Sequence, residues 1–508
     1  MSTAFTPLDG AVVLAYLAGT TTLGVWLGRS QRTARDYFVA NHQIPWWAVL
    51  FSVVATETSA LTFISVPGLA YIGNFTFLQI AAGYIIGRIV VAATLLPRYF
   101  EGELVTAYAL LERRFGLATR RFASVIFMAT RAFADSVRVF ATAIPISLIL
   151  RGTVPPAYVT PAAVLVLGVL TAFYTYHGGM RAVVWTDVLQ TCVYLVGALS
   201  AVYLIGHAVP GGWSAIVARA SSAGKLRVID TSLHLDVPYT LWAGVIGGAF
   251  LSMASHGADQ LIVQRLLAAH TLADARRALV GSGVAVFLQF ALFLLIGVGL
   301  DAVYGGRRFA TPDAIFPTFI LERMPPGLIG LIVAAILAAT MSTHSGAINA
   351  LAAATTHDIY LPLTRRSAED PAVLRAGRRF TLVWAVVLTG GALLYPQQGT
   401  PVVTVALSIA SFTYGGLLGG FFLAMWSRRA EQRDAILGMA VGVAAMSIIV
   451  FARPLGTIFT SAAPVLSPLG AIAWPWYVLI GTSITLAVGL ASSLTHAMPA
   501  PIARDVPT

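Results

Sequence analysis

The sequence predicts an all-α polytopic membrane protein with 13 transmembrane helices. Three observations carry that expectation. Only 10% of the 508 residues are charged, 32 Lys or Arg against 21 Asp or Glu, where a soluble domain carries about 25%. The apolar share is 57% and the mean hydropathy is +0.81. Apolar runs of about 20 residues, enough to cross a bilayer, recur from one end of the chain to the other. So thin a polar coat excludes a soluble enzyme, a disordered chain and a collagen-like one.

The runs lie near 8–28, 46–72, 75–98, 122–150, 158–177, 183–207, 240–263, 278–303, 327–355, 380–396, 401–426, 434–452 and 473–495. The first nine residues hold no Lys or Arg. The first run therefore lacks the basic start of a cleavable signal peptide and is expected to stay as a span. The longest connection, 208–239, is too short for a separate domain, and a single cysteine, Cys192, allows no intrachain disulfide.

The net charge of +11 reads as topology, not as affinity for nucleic acid. With the N-terminus outside, 21 of the 32 basic residues fall on inner segments and 8 on outer ones. Arg88, Arg131 and Arg138 lie within spans, and the patches Arg365-Arg366 and Arg375 to Arg379 sit on an inner loop. Basic residues collect on cytoplasmic loops, so the bias predicts an outer N-terminus and a cytoplasmic C-terminus.

Two spans are interrupted by polar runs. The second carries Ala55-Thr56-Glu57-Thr58-Ser59-Ala60, then Pro67-Gly68; the seventh carries Ser252 to Gln260 with Ser255, His256 and Asp259. They are five spans apart and so cross in opposite directions. Paired interruptions in antiparallel halves point to an inverted-repeat transporter. Unwound backbone at membrane depth is tolerated only where it lines a cavity or binds a ligand; its freed carbonyls suit a sodium ion and its freed amides an anionic group. Close packing through small polar residues is the plainer reading of either run alone. The ninth span adds Ala339-Thr340-Met341-Ser342-Thr343-His344-Ser345, whose adjacent hydroxyls suit the same ion, although membrane Ser and Thr often bond their own helix.

Four stretches, the first in two parts, resemble the sodium/solute symporter family, which includes the sodium–glucose, –proline, –iodide and –monocarboxylate cotransporters. They are Asp36-Tyr37-Phe38, Pro45 to Val49, Gly178-Gly179-Met180-Arg181 through Gln190, Asp259 to Arg265, and His357-Asp358-Ile359-Tyr360. The resemblance implies a LeuT-type core of five plus five inverted spans, repeat 1 over 45–207 and repeat 2 over 239–427. One extra span lies in 1–44 and two in 428–508. It implies a sodium site of carbonyls from Ala55, Thr58 and Ala339 with hydroxyls from Ser342 and Thr343. It gives Asp187 a part in ion release. Glu57 departs from the family, standing where other members carry Asp or Asn, and is assigned a coupling or ion-pairing role because a membrane charge needs one.

Arg131, Asp135 and Arg138 share one helical face. The structural reading pairs Arg131 with Asp135. The sharper one has an Arg grip a substrate carboxylate with its planar fork. Arg88 is open between snorkelling and meeting Glu57. Thr56, Ser59, Gln79, Arg131, His256 and Thr413 are the candidate substrate contacts. No zinc-ligand spacing, phosphate-binding glycine loop or catalytic triad occurs.

The expected function is a secondary active, sodium-coupled importer of a small organic solute, of the sugar, monocarboxylate or amino-acid class. It works monomerically among membrane lipids in a prokaryotic plasma membrane. Sodium is the coupling ion and no cofactor is needed. Alternatives are a proton-coupled carrier of the same fold and a transporter-like sensor. A membrane enzyme is disfavoured by short loops without a catalytic constellation.

Overall fold

The computed structural model describes residues 5–31, 33–58, 60–101, 104–149, 155–395 and 402–497, and among them the regular structure is helical, with one isolated backbone bridge, Ile44 to Ala269. The first helix, α1 (Pro7–Leu27), starts where its composition says it should. Thr6 and Asp9 cap each other's backbone, and Pro7 occupies the first turn, where no amide hydrogen is missed. Asp9 also accepts the Gly327 and Gly330 amides, each at 2.7 Å.

The second expected span is two helices, α2 (Trp46–Glu57) and α3 (Ala60–Ile72), and the Thr62–Ile72 part of α3 leaves α2 at 61°. The polar run that interrupts the apolar pattern is where the axis breaks. After α4 (Leu78–Phe100) and α5 (Leu117–Ile149) comes α6 (Pro156–Ala208), 53 residues long. At 1.5 Å per residue it measures about 80 Å, against about 30 Å of hydrocarbon. Gly179 divides it, at φ 50° and ψ −151°. A side chain there would strike the Tyr37 carbonyl at 2.5 Å. The Tyr37 hydroxyl in turn donates to the Thr175 carbonyl at 3.0 Å.

The seventh expected span is also broken. A π-helical turn (Ala243–Gly247) leads into α7 (Gly248–Gly257), and Asp259 then caps α8 (Gln260–Leu267) by accepting the Leu261 amide at 2.8 Å. The remaining long helices are α9 (Leu272–Tyr304), α10 (Leu328–Ala354), α11 (Pro371–Leu394), α12 (Val402–Trp426), α13 (Gln432–Val450) and α14 (Tyr477–Ser493). At the start of α11, Asp370 accepts the Ala372 amide and an Arg366 hydrogen bond, which hold its carboxyl below the usual range.

Packing sorts these helices into groups. The broken α2–α3 pair, α4, α7 and α9 pack on one another, while α1, α5, α6, α10 and α11 form a second group and α12 to α14 a third. Helix α10 is buried at every residue except Leu328 and Leu331. Its run of Ala, Ser, Thr and Gly lets neighbours approach closely. Helix α2 touches both α9 and the α6–α10 pair, so the break lies on the seam between groups. Among the described residues, eight helices are long and apolar enough to cross a membrane, or nine with α2–α3 taken as one bent span.

Gly87 sets the approach of α4 to α7, since a side chain there would meet the Ala249 carbonyl at 2.3 Å. Gly87→Val forces the two backbones apart and should cost about 1–3 kcal/mol, read as a lowered thermal midpoint of the purified protein.

Candidate functional site

The site begins where a hydrogen-bond ladder stops. Thr58 leaves the helix at φ −83° and ψ 89°, yet its amide still reaches the Val54 carbonyl. Its hydroxyl turns back to that same carbonyl at 2.9 Å. The Gln289 amide nitrogen donates to the Thr58 hydroxyl at 2.6 Å, and the Tyr194 hydroxyl donates to the Gln289 oxygen at 2.7 Å. Side chains from α9 and α6 therefore occupy the end of α2.

Helix α10 faces this break. The Thr343 hydroxyl lies 3.2 Å from its own Ala339 carbonyl and 3.4 Å from the Thr56 carbonyl. Ser342, one position earlier, donates to Asp187 Oδ1 at 2.6 Å, while Ser52 on α2 donates to Oδ2 at 2.5 Å. Thr343 and the Ala339 carbonyl thus meet α2 at Thr56 and Ser342 is held at Asp187, while Thr58, two residues beyond Thr56, is bonded to Gln289 on α9. Ala55 is buried one residue before Thr56, whose carbonyl is the one Thr343 reaches. Neutral oxygens at an unwound helix end, with one carboxylate behind them, form a donor set matched to a hard monovalent cation.

Three acids stand near the two interruptions, Glu57 half-buried and Asp187 and Asp259 buried, and each is answered from another helix. Glu57 pairs with Arg88 on α4, whose Nη1 also donates to Ser282 at 2.7 Å; His256 Nε2 stands 3.7 Å from the same carboxylate. Asp187 is 3.2 Å from Arg265 Nη2 on α8. Asp259 pairs with Arg131 on α5, and the Tyr414 hydroxyl donates to Asp259 at 2.5 Å. The open alternative for Arg88 resolves to the pairing with Glu57. The expected Arg131–Asp135 partnership does not form. Asp135 faces α10, where His344 Nδ1 lies 2.8 Å from its Oδ2. A spacing of four put both residues on one side of α5, but the two side chains reach different neighbours.

The candidate substrate contacts divide. Arg131 and Thr413 lie buried between helix groups, with Thr130 donating to Thr413 at 2.8 Å, and His256 lies buried within the group of α2, α4, α7 and α9. Thr56 bonds its own helix, at 2.7 Å to the Ser52 carbonyl. Gln79 is spent on backbone, donating to the Thr76 and Tyr239 carbonyls and accepting the Asp230 amide. Ser59 lies outside the described residues. Sequence reasoning did not single out Ser52, Gln289 or Arg265. A lone Gln in the apolar stretch of α9 was the available signal for the second. Arg265 stood inside a recognised motif and read as a loop charge.

Comparison with known proteins gives a consistent answer. The model of the sodium:solute symporter family matches residues 37–442. A sodium/sialic acid symporter of Aliivibrio fischeri is 30% identical over 469 residues, covering 90% of both chains. The human sodium/iodide cotransporter is 28% identical, over 86% of this chain and 68% of its own. A solved structure of a Na+-coupled sialic acid symporter, substrate-bound and outward-open, superposes with a TM-score of 0.85 at 26% identity, covering 98% of this chain and 100% of that one.

Removing one member of a buried pair strands the other. Arg88→Gln should cost about 3–5 kcal/mol, and adding Glu57→Gln should restore much of it. Thermal melting of the two variants against the parent checks the sign and the recovery.

Proposed function

The chain belongs to the sodium:solute symporter family, and from that membership we propose how its residues move an ion and a solute. It is a sodium-coupled symporter that imports a small solute by alternating access, not an enzyme, and sodium is its coupling ion. We assign the sodium to carbonyls of Ala55, Thr58 and Ala339 and hydroxyls of Ser342 and Thr343. The observation that supports this assignment is the approach of Thr343 on α10 to the Thr56 carbonyl in the last turn of α2, just before the break. A cation at that point ties α10 to the interrupted span, and so ties one helix group to the other. Asp187, bonded to Ser342, then serves ion release, and Glu57 couples the broken span to α4 through Arg88.

The solute would sit beside the break, among Thr56, Ser59, Arg131, His256 and Thr413, with Gln79 shaping the rim. It is a small organic solute of the sugar, monocarboxylate or amino-acid class. The relatives named above handle sialic acid and iodide, and an Arg131 freed from Asp259 would suit a carboxylate. Thirteen spans in a five-plus-five arrangement are supported by the division of α6 at Gly179, the bent α2–α3 pair, the interrupted α7–α8 pair, and the long α5 and α12. Repeat 1 would run over 45–207 and repeat 2 over 239–427, with one span before and two after. The protein would be a monomer in the plasma membrane, and the charge bias favours an N-terminus outside and a C-terminus in the cytoplasm.

Ser342→Ala with Thr343→Ala removes both hydroxyls and should abolish the sodium dependence of uptake in proteoliposomes. Unchanged dependence on external sodium would overturn the assignment. A thermal-shift screen of metabolites, with and without sodium, should identify the solute as the compound whose stabilisation grows with sodium; a ligand at 100 times its Kd stabilises by about 2.7 kcal/mol.

A further inference from the structure

Helix α8 is eight residues long and buried throughout, yet it carries an arginine. Arg265 is fully buried and uses three separate groups. Nε donates to Ser52 at 2.9 Å, Nη1 to the Leu261 carbonyl at 2.8 Å, and Nη2 to Asp187 at 3.2 Å. Space for the guanidinium is made by Gly346 on α10, where a side chain would meet Nη2 at 2.3 Å. The carboxylate it contacts also accepts the Ser342 hydroxyl. Ser342 gives its proton to Asp187, so its oxygen lone pairs are left facing other partners. One acid therefore serves an arginine on α8 through Oδ2 and the proposed ion ligand on α10 through Oδ1.

We infer that Arg265 is a tethered counter-cation of Asp187, competing with sodium for the same negative charge and thereby linking ion occupancy to the position of α8. The inference rests on the sodium assignment above. Two cations beside one carboxylate repel each other, and each weakens the other's hold by the same factor. In the sodium-free protein Arg265 neutralises Asp187 and pins α8 against α2 and α6. A sodium ion at Ser342 and Thr343 loosens that hold, and the loaded protein is the one in which α8 is free to swing. When the ion leaves, the guanidinium takes the carboxylate back. Arg265 is thus a positioning residue that acts on the ion through Asp187.

The test is the half-saturating sodium concentration, read from the thermal midpoint of the purified protein with choline chloride holding ionic strength constant. Arg265→Gln removes the competitor and should lower that concentration by at least about fivefold. Arg265→Lys keeps the charge and should stay near the parent value. Gly346→Ala, which displaces the guanidinium without deleting it, should move the value in the same direction as Arg265→Gln and serves if that variant does not fold. An unchanged or raised half-saturation in both variants overturns the inference while the sodium site stands. A parent protein with no sodium-dependent shift overturns the sodium assignment and the inference together.

Discussion

A carboxylate inside a membrane protein must be neutralised by its neighbours, because no water is at hand to do it. At Asp187 that requirement organises much of the molecule. The acid stands on α6, its hydroxyl donors on α2 and α10, and its arginine on α8. Four helices are therefore held to one charge. The same rule acts at Glu57, which ties the end of α2 to α4, and at Asp259, which ties the cap of α8 to α5 and α12. The two interrupted spans are the elements that most need fixing, since each has lost part of its own backbone ladder, and each carries buried charges that do the fixing.

These pairs are not equivalent in what they join. Glu57, Arg88, Ser282 and His256 belong to α2, α4, α9 and α7, all in one packing group. That cluster makes the group a unit. The Asp187 and Asp259 clusters instead join different groups, Asp187 on α6 meeting Ser52 on α2 and Asp259 meeting Arg131 on α5 and Tyr414 on α12, and both involve α8 or its cap. A relative movement of the groups leaves the first cluster intact and must renegotiate the other two. The position of the charges therefore separates what moves together from what moves apart, which is the mechanical content of alternating access.

Much of this was legible in the sequence, and for local reasons. Span lengths follow from bilayer thickness, and polar runs at 55–60 and 252–260 mark the breaks because an unwound backbone needs polar company. Ser342 and Thr343 stood out as adjacent hydroxyls on an otherwise small-residue helix. The sequence could not disclose the partners. Arg131 and Asp135 are four residues apart and look paired, yet the helix turns Asp135 toward His344 and leaves Arg131 to an acid 128 residues away. Gln289 reaches Thr58 across 231 positions, and Arg265 reaches Ser52 across 213. Periodicity reports which face a residue occupies. Which neighbour that face meets is decided by packing.

The same separations set an order of events on the ribosome. Asp187 meets Ser52 across 135 residues already made, but Arg265 lies 78 residues later and Ser342 155 later. At about 5–20 residues per second, the acid waits roughly 4 to 16 s for its arginine. Through that interval the sixth expected span enters the bilayer with one hydroxyl for company. The Asp187–Arg265 pair therefore cannot close until α8 has been made. The acid on α6 is in this sense left unfinished, completed by a cation that a later helix delivers.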